Sequence, residues 1–140
     1  MNHSQFTGKY NGKFVDYDHA YGYQCVYVMR QYVLDVFGLK PYVAIPTTGT
    51  AKNIFLNFKT NKYFKKVLNT PTGIPPKGAI LFFKNSILPP WNYGFAGHVA
   101  IVDSANMMSM ILFGQNYPTG SACSFRKFTY KDCLGWLVRL

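Results

Sequence analysis

A chain of 140 residues that is 49% hydrophobic and 18% aromatic can bury one substantial core and is too short for two ordinary domains, so residues 1–140 read as a single domain. Its formal charge of +10 sets 15 Lys and Arg against five acids, Asp16, Asp18, Asp35, Asp103 and Asp132, with no Glu. Chemistry that needs paired carboxylates, such as glycoside hydrolysis, therefore has little to draw on, whereas the cationic excess favours polyanions such as nucleic acid, teichoic acid or an anionic membrane.

From the start, Met1-Asn2-His3-Ser4-Gln5 lacks a basic run followed by an apolar stretch, so no secretory signal is expected. Residues 1–24 are polar and rich in Gly and Tyr, and read as loop after at most a short helix, with His3 and His19 in surface loops. Over Cys25 to Phe37, Val and Tyr favour strand, but the spacing favours helix. Gln24, Gln31 and Asp35 fall on one side, and Cys25, Met29, Tyr32, Val33 and Val36 form the opposing apolar stripe. Gly38 should end this helix.

Residues 39–50, with Pro41, Pro46 and Gly49, carry loop chemistry, and Ala51 to Phe58 predicts a second short helix. The densest basic cluster, Lys59 to Lys66, is interleaved with Tyr63 and Phe64 and fits a solvated face or a binding edge. Gly78 to Phe83 is a short, turn-bounded apolar run, hence a buried strand. Further strands are expected at His98 to Val102, Met108 to Phe113 and Ala122 to Tyr130, with Leu134 to Leu140 closing the sheet. Helices first and strands afterwards is the α+β pattern. No segment reaches about 18 consecutive apolar residues, so no membrane-spanning helix is expected.

Three cysteines at 25, 123 and 133 give an odd count without CxxC, which indicates neither a disulfide framework nor a zinc knuckle. Cys25 stands out because it begins the predicted helix, where the helix N-terminus and a nearby imidazolium would lower a thiol pKa of about 8.5 and produce a thiolate at neutral pH. His98, in Gly97-His98-Val99-Ala100-Ile101-Val102, is the candidate general base, with His19 as fallback. The amide of Asn116, in Gln115-Asn116-Tyr117, could orient the imidazole. Asp103 competes for that role, but positions five apart on a regular strand face opposite ways. Cys123 and Cys133 read as inert packing residues.

The ordered set Asp16-x-Asp18-x-x-Tyr21-Gly22-x-Gln24-Cys25, Pro76-Lys77-Gly78-Ala79-Ile80-Leu81-Phe82-Phe83, Gly97-His98-Val99-Ala100-Ile101-Val102, Gln115-Asn116-Tyr117 and Gly135-Trp136 resembles the CHAP family. These are the cysteine, histidine-dependent amidohydrolase/peptidase domains of phage endolysins and bacterial cell-wall hydrolases. The resemblance runs from about residue 14 to the end. It implies a papain-like α+β fold, N-terminal helices on an antiparallel sheet, and cleavage of an amide bond in bacterial peptidoglycan, as a muramoyl-alanine amidase or a stem-peptide or crossbridge endopeptidase. Cys25 would be nucleophile, His98 base and then acid, and Asn116 the orienter.

On this reading the Cys25 N–H would serve the oxyanion, with Gln24 or Tyr21 as side-chain candidates, and Trp91 and Tyr93 would line the groove. Three positions depart from the family pattern. Gly114 stands where many members carry an acid, and Ala79 where Asp is usual. Asp16 and Asp18 are kept from the calcium loop, but His19 and Tyr27 replace its other residues. No cofactor is therefore required, and calcium binding should be weak or absent. The expected setting is a host cytoplasm and then the bacterial wall, with anionic wall polymers as added partners and nucleic acid disfavoured. Two rivals stand beside this: a non-catalytic basic module binding an anionic wall polymer or nucleic acid, and a papain-like hydrolase acting on a protein or isopeptide.

Overall fold

The computed structural model describes residues 1–19, 24–85, 96–117 and 120–140. Helices come first: α1 (His3–Tyr10), α2 (Cys25–Phe37), α3 (Pro41–Ala44) and α4 (Ala51–Asn57). Six strands follow: β1 (Phe64–Leu68), β2 (Ile80–Phe83), β3 (His98–Ala105), β4 (Met110–Gly114), β5 (Ser124–Phe128) and β6 (Cys133–Arg139). The strands form one antiparallel sheet in the order β1-β6-β2-β3-β4-β5. The architecture is α+β and papain-like, with the helical N-terminal region packed against the sheet. Among the described residues no helix is long and apolar enough to cross a membrane.

Strand alternation sorts the core into two layers. Ile80, Phe82, Val99, Ile101, Phe113 and Leu137 face the helices, against Val28, Val33, Ile54 and Phe55. Leu81, Phe83, Ala100, Val102, Leu112 and Trp136 face the other way and pack with Tyr117 and Phe128. Register shifts at Phe82/Phe83 and Val102/Ser104 are bulges, which add local twist.

The α2 prediction holds over Cys25–Phe37, and Gly38 ends the helix in the left-handed region at φ 65°. Burial on α2 is wider than a simple stripe, because Tyr27, Val28 and Arg30 are also enclosed. Arg30 is 1% exposed. It donates to the carbonyls of Pro41 and Ile45 and to Thr47 Oγ1, and it lies 4.5 Å over the Tyr42 ring. Burial pulls its pKa down to about 10, with Tyr42, Tyr17 and Asp18 opposing that shift. This guanidinium organises the segment expected to be loop, where α3 forms with Pro41 at its first turn.

The Lys59–Lys66 cluster contains edge strand β1, and Lys66 Nζ donates to the carbonyls of Leu56 and Phe58 at the end of α4 and lies 4.6 Å over the Phe55 ring. Two expectations are corrected. Strand β6 does not close the sheet but lies between β1 and β2, where Gly135, at φ 151°, avoids a Cβ that would collide with the Val67 carbonyl. His3 is not in a surface loop. It sits in α1, and its ring nitrogens lie 3.1 Å from the Tyr32 hydroxyl and 3.0 Å from Asp103 Oδ1, joining α1 to α2 and β3.

Candidate active site

Cys25 is the first residue of α2, where the initial N–H groups of a helix have no intrahelical partner. The backbone N–H groups of Val99, Val26 and Cys25 itself lie close enough to its sulfur to favour the charged form. The Val99 contact sets the thiol against β3 one residue after His98. Although part of the residue reaches solvent, the sulfur is enclosed. Burial pushes the thiol up to about 11, more than the three N–H groups lower it. At neutral pH this environment favours the protonated thiol, contrary to the thiolate expected from helix position alone.

His98 opens β3 immediately after Gly97, whose φ of 77° suits glycine and whose missing side chain lets the Phe83 carbonyl and Lys52 approach. The imidazole is 3% exposed. Its ring centroid lies 4.9 Å from that of Tyr117, 6.1 Å from Phe128 and 6.4 Å from Phe83. Burial among these rings holds its pKa down at about 4, so in this slot it is neutral at pH 7 and a weak proton acceptor. Its ring shares the sheet face of Phe83, and among the described residues no hydrogen bond joins it to Cys25. Cys25 packs in the helix-facing layer with Val99, whereas the His98 ring lies among Phe83, Tyr117 and Phe128 of the other layer, so the two side chains are not brought together.

Asn116 has φ 64°. Its Oδ1 accepts the Gly120 N–H at 2.7 Å and its backbone N–H donates to the Ser121 carbonyl, so Asn116 is tied to Gly120 and Ser121. Among the described residues no hydrogen bond joins it to His98, whose ring meets the neighbouring Tyr117 instead. Asp103 is engaged by His3 at 3.0 Å, in keeping with the divergence expected from alternation. Gln115, to which the motif by itself gives no role, is fully buried, and its Nε2 donates to the Gln24 carbonyl at 2.8 Å. A glutamine between a strand and a turn gives no signal by itself; its burial does.

The sequence profile of the CHAP domain matches residues 14–116, most of the chain. This chain belongs to the CHAP family. Among curated protein sequences none matches it. Among solved structures, the wild-type endolysin LysIME-EF1 is similar, with a TM-score of 0.73 and 21% sequence identity over 96% of this chain. The match spans 61% of the LysIME-EF1 chain, and at that identity it shows a shared fold.

The CHAP departures have local settings. A Cβ on Gly114 would meet the Ala100 Cβ at 3.2 Å, so any acid there would need Ala100 to give way. Ala79 is 3% exposed in the second core layer, where an Asp would be costly without partners. Asp18 accepts the Tyr42 hydroxyl at 2.9 Å, while one buried oxygen of Asp16, Oδ1, has no hydrogen-bond partner. That orphaned oxygen could face a cation. Among the described residues no group of three or more His, Cys, Asp or Glu could hold a metal. Gln24 is exposed at the helix cap, with no side-chain capping bond. Tyr21, Trp91 and Tyr93 lie outside the described residues. Cys123 and Cys133 are free thiols that burial pushes up to about 12.

Proposed function

We propose that this CHAP domain is a thiol peptidoglycan hydrolase, cleaving an amide bond of the stem peptide, the crossbridge or the muramoyl-alanine link, as the catalytic module of a phage endolysin. The observation that carries the reading is the placement of Cys25 at the N-terminus of α2, packed with Val99 on β3, the strand that His98 opens. Because both groups are neutral at pH 7, Cys25 attacks as its proton passes to His98, which requires the imidazole to turn from its aromatic slot toward the sulfur. The carbonyl carbon bonds to Sγ, and the developing oxyanion meets the Cys25 N–H. His98 then returns the proton to the leaving amine, and water hydrolyses the thioester.

Asn116 is the orienting residue of this reading, and in that role its amide oxygen exchanges the Gly120 N–H for the imidazole N–H. Calcium is not required. Any calcium would have Asp16 and Asp18 as ligands and would order the loop that leads to Cys25. The exposed cations Lys62, Lys65, Arg126 and Lys127 on β1, β5 and the approach to β1 attract anionic wall polymers at long range. Purified sacculi digested with the protein and analysed by mass spectrometry test the function. New amine ends paired with muramic acid carboxyls mean amidase, and new peptide ends mean endopeptidase. No new ends, together with retention on wall polymer, would replace the reading by that of a binding module.

A further inference from the structure

Gln115 uses its whole amide while fully buried. Oε1 accepts the Val15 N–H at 2.8 Å and the Cys123 thiol at 3.6 Å; Nε2 donates to the Val15 carbonyl at 2.6 Å and to the Gln24 carbonyl at 2.8 Å. Two donors and two lone pairs are all that a primary amide has. The pair of bonds to Val15 ties the segment before Cys25 to the end of β4. The bond to Gln24 has a different consequence, because the Gln24 carbonyl and the Cys25 N–H belong to one peptide group.

That group is planar and trans, so its oxygen and its hydrogen point in opposite directions. Pinning the oxygen therefore aims the hydrogen. The Gln24 carbonyl already accepts the Tyr27 N–H at 3.1 Å, and Gln115 adds a second donor. Hydrogen bonds accepted at a carbonyl also polarise the peptide and strengthen its N–H as a donor. The N–H so aimed is that of Cys25, one of the three that favour a charged sulfur there.

We infer that Gln115 is a positioning residue for the nucleophile: by holding the Gln24–Cys25 peptide from the carbonyl side, it directs the Cys25 N–H toward the sulfur and toward the oxyanion that forms beside it. The inference rests on Cys25 being the nucleophile. Gln115 never touches the reacting atoms. The competing account is a plain clamp between residues 15 and 115, which would contribute stability and nothing to reactivity.

Gln115→Met keeps the length of the side chain and removes both donors. Gln115→Glu keeps an acceptor for Val15 and can donate only while its carboxyl is protonated. Two rates are measured on the folded full chain: alkylation of Cys25 by iodoacetamide, resolved from Cys123 and Cys133 by peptide mass spectrometry across pH, and turnover of purified sacculi. Ile54→Val, a buried change in α4, serves as a stability-matched control. Gln115→Met should slow Cys25 alkylation about tenfold at fixed alkaline pH and lower kcat about tenfold with KM within about twofold, a smaller loss than the 10²–10³ for deleting an oxyanion donor outright.

Gln115→Glu should show the same deficit at neutral pH and recover part of it in acid. If Gln115→Met does not fold, the glutamate variant decides the matter through that pH-dependent recovery alone. Alkylation and kcat that match the Ile54→Val control, or a glutamate variant with no recovery, would overturn the inference. Should the wild type leave sacculi intact while the alkylation difference persists, the hydrolase reading falls and the positioning stands. Sacculus cleavage with unchanged alkylation gives the reverse.

Discussion

Acid should destabilise this protein through one residue, His98. The imidazole, 3% exposed among Phe83, Tyr117 and Phe128, has its pKa held down from 6.5 to about 4 by burial. Above pH 6.5 neither the folded nor the unfolded chain protonates this ring, and its full contribution to stability is present. As pH falls from 6.5 to 4 the unfolded chain takes up a proton that the folded chain refuses. Stability therefore drops by at most about 1.4 kcal/mol per pH unit, or about 3 kcal/mol across the window. That is a large part of the roughly 5–15 kcal/mol by which a domain is stable.

The assay is urea unfolding at pH 7, 5.5 and 4.5, comparing the wild type with His98→Leu, which has nothing to titrate in the same slot. The five aspartates and the other histidines are common to both proteins, so the difference between the two pH slopes isolates the imidazole. The wild type should lose about 2 kcal/mol more than the variant between pH 7 and pH 4.5. Parallel loss in the two proteins would show that the ring exchanges its proton freely in the folded state, and the buried setting of the proposed base would be wrong.

Cys25→Ala should abolish turbidity loss of susceptible cells while leaving the melting temperature close to the wild type, whereas Cys133→Ser should retain a substantial part of the activity; a fully lytic Cys25→Ala protein ends the thiol mechanism. Asn116→Ala should lower kcat more than it raises KM, and Asp103→Asn should be mild by comparison, because Asp103 is engaged by His3. Steady-state turnover of sacculi by both variants checks this, and an equal loss in the two would remove Asn116 from its orienting role. Exhaustive chelation should change activity less than about twofold, since Asp16 and Asp18 are the only carboxylates at hand and Asp18 already accepts from Tyr42. A large, reversible gain on adding calcium would show that the orphaned Asp16 oxygen belongs to a real cation site.

Local rules carried the secondary structure wherever a pattern was confined to neighbouring residues. The start of α2 at Cys25 and its end at the left-handed Gly38, the short α4, the apolar β2 run and the strand opening at His98 all follow from spacing, propensity and glycine placement. The family was also legible, because its residues occur as an ordered set along the chain. Strand β1 was hidden because its Lys65 and Lys66 are polar, and an edge strand needs only one apolar face. Helix α3 depends on Arg30, eleven residues away from Pro41, donating to carbonyls that no local pattern reveals.

The order of the sheet, with β6 inserted between β1 and β2, is a matter of long-range pairing. Tertiary structure alone decided the electrostatics of the site. Helix position by itself argues for a thiolate at Cys25, but enclosure costs a charged sulfur more than three N–H groups return. The same holds for His98, whose residue type promises a base near neutrality and whose aromatic surroundings move it to about 4. Residue identity fixes which groups can react; the solvent they lose and the partners they gain on folding set their protonation, and those depend on residues distant in the chain. Gln115 is the clearest case, an amide with no role legible in sequence that reaches from the end of β4 to the peptide just before Cys25 once the chain is folded.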